Sequence, residues 1–98
     1  MLTINQVRED LKEIRYYYSL QKAFDAASDT LKPVALLDKV SKYNEAIKSA
    51  PAIFFIIYVE LYVKNATQIA LATVLGYTRE YINEVNGKLI KYLQKTVF

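Results

Sequence analysis

"LATVLGYTREYINEV", residues 71–85, decides how the chain is read. Gly76, one of only two glycines in 98 residues, separates an apolar run from a short polar one that returns to apolar spacing. Two closely crossing helices need a small residue at the crossing and a turn residue that accepts positive φ. They also need apolar positions that hold the second helix on the core. Ala72, Gly76 and the pair Ile82/Val85 supply these in order, with Leu71 and Leu75 lining the first helix and Tyr77 following the glycine. The spacing predicts a helix ending at Leu75, a turn at Gly76 and a second helix capped by Thr78. This matches the DNA-binding helix-turn-helix pattern.

At about 100° per residue, Thr78, Ile82, Val85, Leu89 and Tyr92 form the inner face of that second helix. Arg79, Glu80 and Asn83 point away, with Gly87 on the same outer side. Arg reads guanine, Asn reads adenine, and Glu accepts from cytosine, so these three are the candidate base contacts. Thr78 at the helix N-terminus, and Lys88, Lys91 and Lys95 further along, are the candidate contacts to the DNA backbone. Glu80 and Glu84 oppose phosphates, and Asn86-Gly87 is a turn signal that leaves the end of the last helix open. A corner that is structural, or that binds only protein, is the competing reading, because apolar spacing with one glycine is common in helical proteins.

Working outward, Thr3 and Gln6 have capping-box spacing at the start of a first helix expected from Ile4 to Ala27. Ile4, Val7, Leu11, Ile14 and Tyr18 make a heptad-like seam, extended by Leu20, Phe24 and Ala27. The break at residues 27–33 offers Asp29 or Thr30 as a cap, with Pro33 in the first turn of a second helix. Leu36, Val40, Tyr43 and Ile47 stripe that helix, which completes an N-terminal helical hairpin over residues 1–50. Ser49 or Ala50 then caps a third helix with Pro51 at its first position. It runs to about Lys64, is apolar on nearly every face, and so belongs in the middle. Asn65 and Gln68 have capping-box spacing before the fourth helix. The fold class is therefore all-α: a five-helix bundle in one domain, residues 1–98, with a core helix and the helix-turn-helix over 51–98. The short seam suits packing within the bundle, with a homodimer through the N-terminal helices as the alternative.

Composition narrows the chemistry. The absence of Cys and His excludes disulfides, thiolate or imidazole metal sites, and Ser-His-Asp or Cys-His catalysis. The carboxylate pairs Glu9/Glu13 and Glu80/Glu84 read as solvated helix faces, so no enzyme activity, cofactor or metal is expected. The tyrosines of "RYYYS", residues 15–19, read as rings packed against neighbours with wet hydroxyls, although such residues can also stack on bases. The net charge is +3, and all of the excess lies in residues 61–98: five Lys/Arg against two Asp/Glu there, eight against eight before. This asymmetry suggests an anionic partner. Residues 51–63 are too short to span a membrane and contain Glu60, and no signal peptide is apparent; a cytoplasmic protein is expected.

"TQIALATVLGYTREYINEVNGKLIKYL", residues 67–93, resembles region four of bacterial sigma factors in Leu71-Ala72, Leu75-Gly76-Tyr77-Thr78-Arg79, Ile82, Val85, Leu89 and Leu93. With the apolar helix and hairpin before it, the chain is also similar to small phage transcriptional activators of the ArpU/RinA type. The sigma resemblance implies base contacts from the Arg and Glu that open the recognition helix, here Arg79 and Glu80, and from the next outward position, Asn83. Two departures stand out. Ile69 and Ala70 replace the usual acidic residues, implying packing on the third helix or a subunit contact, and Gly87 or Lys88 stands where an alanine is usual. The expectation is a duplex DNA-binding transcriptional regulator of viral or mobile-element type. Its few cations call for help from a second copy or RNA polymerase. The rivals are a packaging protein of the small terminase kind and a protein-interaction module.

Overall fold

A computed structural model describes residues 2–21 and 34–97. Among these residues five helices are delimited: α1 (Ile4–Ser19), α2 (Val34–Ile47), α3 (Ala52–Tyr58), α4 (Gln68–Leu75) and α5 (Arg79–Thr96). The third runs on directly into a π-helical segment, Val59–Val63. There is no strand among the described residues, so the chain is an all-α bundle. No helix among them is long and apolar enough to cross a membrane.

The Thr3 box forms as the spacing predicts. Thr3 Oγ1 accepts from Gln6 N at 3.1 Å, and Gln6 Oε1 accepts from Thr3 N at 2.7 Å. The helix breaks after Ser19, where Leu20 leaves helical geometry at φ −108°, ψ 11°; Gln21 is helical again, and the rest of the span expected to Ala27 lies outside the described residues. Local competition for the backbone accounts for the break: Ser19 Oγ donates back to Arg15 O at 2.8 Å and accepts from Asn65 Nδ2 at 3.0 Å. Phe24 and Ala27, and the caps expected at Asp29, Thr30 and Pro33, lie outside the described residues.

Val7, Leu11 and Ile14 of the seam join Val40, Tyr43 and Ile47 of α2 and the inner residues of α3, α4 and α5 in a single core. Three of the five seam residues are thus buried within the chain, while Ile4 and Tyr18 are half-buried. The third helix, taken with the π-segment that continues it, touches each of the other four helices, the central place its sequence implied, but its first turns keep an open face. Ile57, Tyr58 and Leu61 are buried, while Phe55 and Ile56 are 45% and 39% exposed. α2 and α5 pack against its first turns and leave Phe55 and Ile56 partly open.

The π-segment is the feature that apolar periodicity did not signal. Lys64 N donates to Val59 O across five residues and Ala66 N to Glu60 O across six, with Asn65 at φ 64° closing the turn. Asn tolerates this left-handed geometry, and this is its role in place of the predicted cap. Arg15 of α1 completes the turn: Nε donates to Leu61 O at 3.0 Å and Nη2 to Ala66 O at 3.1 Å. Its guanidinium lies 5.7 Å from the Tyr62 ring centre. The cap of α4 is then Thr67, whose Oγ1 accepts from Ala70 N at 3.1 Å. At α3, similarly, Pro51 itself occupies the cap position, and the helix begins one residue later than expected.

Tyrosine hydroxyls tie the layers together. Tyr58 donates to Asn44 Oδ1 at 2.7 Å, Asn44 Nδ2 donates to Tyr18 at 2.9 Å, and Tyr43 donates to Asp10 Oδ2 at 2.7 Å. Burial pushes the Tyr43 and Tyr58 phenols far above their ordinary range, and for Tyr43 the Asp10 carboxylate adds to the rise. Lys39 bridges Asp10 and Glu13, and its ammonium is held above the usual lysine range, first by Glu13 and then by Asp10 against some desolvation.

Candidate nucleic-acid interface

The turn between α4 and α5 forms where Gly76 was expected to make it. Gly76 takes φ 73°, ψ 24°, and both its N–H and that of Tyr77 donate to Ala72 O. A Cβ there would meet no neighbouring atom within 4 Å, so glycine is required by the backbone angle, not by crowding. Ala72 and Leu71 are buried against α5, whose Ile82 and Val85 return to the core as the spacing predicted.

Thr78 caps α5: its Oγ1 accepts from Tyr81 N at 3.0 Å, and its hydroxyl hydrogen is left to donate outward. Beyond the cap, Arg79, Glu80 and Asn83 are all exposed. With Gln68 from the start of α4 they line one shallow depression. None of the three makes an ion pair or side-chain hydrogen bond within the described residues. They are therefore a set of exposed donors and acceptors left unused within the described residues.

α5 is pinned in rotation as well as position. Tyr62 donates to the buried Asn86 Oδ1, Tyr92 donates to Ala46 O at 3.1 Å, and Gln94 Nε2 donates to Leu2 O at 3.0 Å. The Asn86-Gly87 pair does not break the helix, because Asn86 spends its polar side chain on Tyr62 and the backbone continues to Thr96. Burial raises the Tyr62 phenol, while the bond to Asn86 and the charges of Arg15 and Arg8 oppose the rise.

The fold separates the two predicted groups of contacts. Lys88, Lys91 and Lys95 are exposed on α5, but helical geometry rotates them by about 100° or more from the Arg79–Asn83 line. Lys88 lies 3.8 Å from Glu84, whereas Lys91 and Lys95 have no ion-pair partner among the described residues. On the opposite flank, Arg8 and Lys12 of α1 line a groove with Asn86 and Ile90. Sequence reasoning passed over this pair because the N-terminal part is neutral overall; their i, i+4 spacing was the available signal.

The outer surface of α4 is apolar. Ile69 is 61% and Val74 81% exposed, so the packing of Ile69 on the third helix does not occur. Tyr77 and Tyr81 continue this surface as an exposed ring pair, centres 4.6 Å apart. Of the "RYYYS" rings, Tyr16 is exposed, while Tyr17 and Tyr18 are half-buried and meet edge to face at 5.2 Å.

Comparison of the chain with protein-family models, with curated proteins and with solved structures returns no match.

Proposed function

We infer that this chain is a duplex DNA-binding transcriptional regulator that places α5 in the major groove. The observation that carries the reading is the capped start of α5. There Arg79, Glu80 and Asn83 stand exposed and unpaired, immediately after a left-handed glycine turn, on a helix pinned in rotation. Arg79 and Asn83 have the donor and acceptor geometry for guanine and adenine, and Glu80 can accept from cytosine. Thr78 and the free N–H groups of the first turn suit a phosphate, as do Lys88, Lys91 and Lys95 alongside. The resemblance to sigma region four supports the same three base contacts, and the likeness to small phage activators supports a viral or mobile-element origin.

One module with so few cations binds weakly, so a second protein surface is part of the reading. The exposed Ile69, Val74 and Tyr77 provide one for RNA polymerase or another copy of the chain. The same apolar surface favours the second reading, a protein-interaction module without DNA. Selection of bound sequences from random duplex DNA separates the two. Recovery of a consensus that Arg79→Ala and Asn83→Ala abolish supports regulation. Absence of any duplex binding at low salt leaves only the protein-interaction reading.

A further inference from the structure

Along α5, helical geometry puts Arg79, Asn83, Asn86 and Ile90 on one line, and Lys88, Lys91 and Lys95 on another more than a quarter-turn away. The first line borders the groove against α1. Arg8, Lys12 and Arg15 project into that groove, opposed by the single carboxylate of Glu9. Arg8 is exposed and has no ion-pair or hydrogen-bond partner among the described residues. Lys12 is held only by Glu9 at 3.1 Å, with both groups well exposed, and such a pair contributes little and yields readily to a competing anion. Arg15 is committed to the Leu61 and Ala66 carbonyls and so supplies field without being free to leave.

We propose that Arg8 and Lys12 of α1 hold one phosphate strand of the bound duplex, while Lys88, Lys91 and Lys95 hold the other, with the base-reading face of α5 between them. This extension rests on the DNA-binding reading above. A helix with its side chains is about 10–12 Å across and the B-DNA major groove about 12 Å wide, so cations on both flanks of α5 face the two strands that border the groove. Gly87 lies on the outer face between the two basic rows. A Cβ there would meet nothing within 4 Å among the described residues, so packing does not demand glycine, although a glycine inside a helix costs about 1 kcal/mol relative to alanine. A bare backbone at that point lets the helix settle deeper between the strands.

The test compares the salt dependence of duplex binding, by fluorescence anisotropy on the selected sequence, among wild type, Arg8→Ala/Lys12→Ala and Lys42→Ala/Lys48→Ala. The last removes equal charge from exposed positions of α2 and the turn after it, neither of which lines the groove between α1 and α5. Each lost phosphate contact lowers the slope of log K against log salt by about 0.9, so the α1 variant should lose about 1.8 and keep its sequence preference. The control should stay close to wild type, and circular dichroism should show all three proteins folded. An α1 variant that matches the control overturns the proposal but leaves base reading by Arg79 and Asn83 standing. A wild type that binds no duplex overturns both.

Discussion

Arg15→Met removes a guanidinium that joins α1 to the middle of the π-segment and to the residue just before the α4 cap. Two charged hydrogen bonds are lost, 3.0 Å to Leu61 O and 3.1 Å to Ala66 O, together with the contact 5.7 Å from the Tyr62 ring centre. Hydrogen bonds to charged groups contribute about 1.5–3 kcal/mol each. The site is only half-buried, so water reaches the freed carbonyls and the pair falls at or below the low end of that range, about 2–3 kcal/mol together. The ring contact adds about 0.5–1 kcal/mol. Met retains the aliphatic stem, so the loss of roughly 3 kcal/mol is polar in origin. In a chain of this size each kcal/mol lowers Tm by about 4–8 °C, which predicts a fall of about 12–24 °C. Urea titration with linear extrapolation should give the matching free energy. Arg15→Lys should fall between, because one ammonium cannot serve both carbonyls in the planar fork geometry. An Arg15→Met protein within 0.5 kcal/mol of wild type, or a lysine variant as stable as arginine, would refute this account of how the helix-turn-helix is held.

Gly76→Ala should cost about 1–2 kcal/mol in urea titration and Gly76→Asn less, since φ 73° penalises any Cβ and Asn least. Asn86→Leu alone orphans the Tyr62 hydroxyl and should cost about 1–3 kcal/mol; Tyr62→Phe combined with it should restore most of that, and a coupling energy near zero would contradict the buried bond. Gly87→Ala should raise stability by up to about 1 kcal/mol and yet weaken duplex binding; improved binding would remove Gly87 from the interface. Alkaline pH should unfold the chain. The Tyr43, Tyr58 and Tyr62 phenols are raised in the folded state, so stability is intact below about pH 10, where the unfolded tyrosines titrate. Above it, stability falls by about 1.4 kcal/mol per pH unit for each group that stays protonated in the fold. Tyrosinate absorbance rising together with loss of helical ellipticity would show the linkage; titration around pH 10 in the intact fold would deny it.

How much of this was legible beforehand depended on whether the cause was local. Gly76, Thr78 and the Thr3–Gln6 box act through bonds within a few residues, and each formed as its spacing implied. Asn65 was misread because its role is set from 46 residues away: its amide meets Ser19, and Arg15 satisfies the carbonyls on either side of it. The π-segment was invisible for the same reason, since apolar periodicity does not distinguish it from an α-turn. Asn86-Gly87 carried a turn signal that a buried hydrogen bond to Tyr62 overrides. At the candidate site, α5 was read correctly as exposing Arg79, Glu80 and Asn83. The α1 cations beside it were not, because their placement depends on how α1 packs against α5.

The central claim is that α5, beginning at Thr78, meets duplex DNA. Amide chemical-shift mapping on the 15N-labelled chain during titration with a selected duplex tests it residue by residue. The account predicts the largest salt-sensitive shifts at residues 78–83, with smaller ones around Gly87, Lys91 and Arg8, and little change in α2. Shifts confined to Ile69, Val74 and Tyr77, or none at all at low salt, would contradict it.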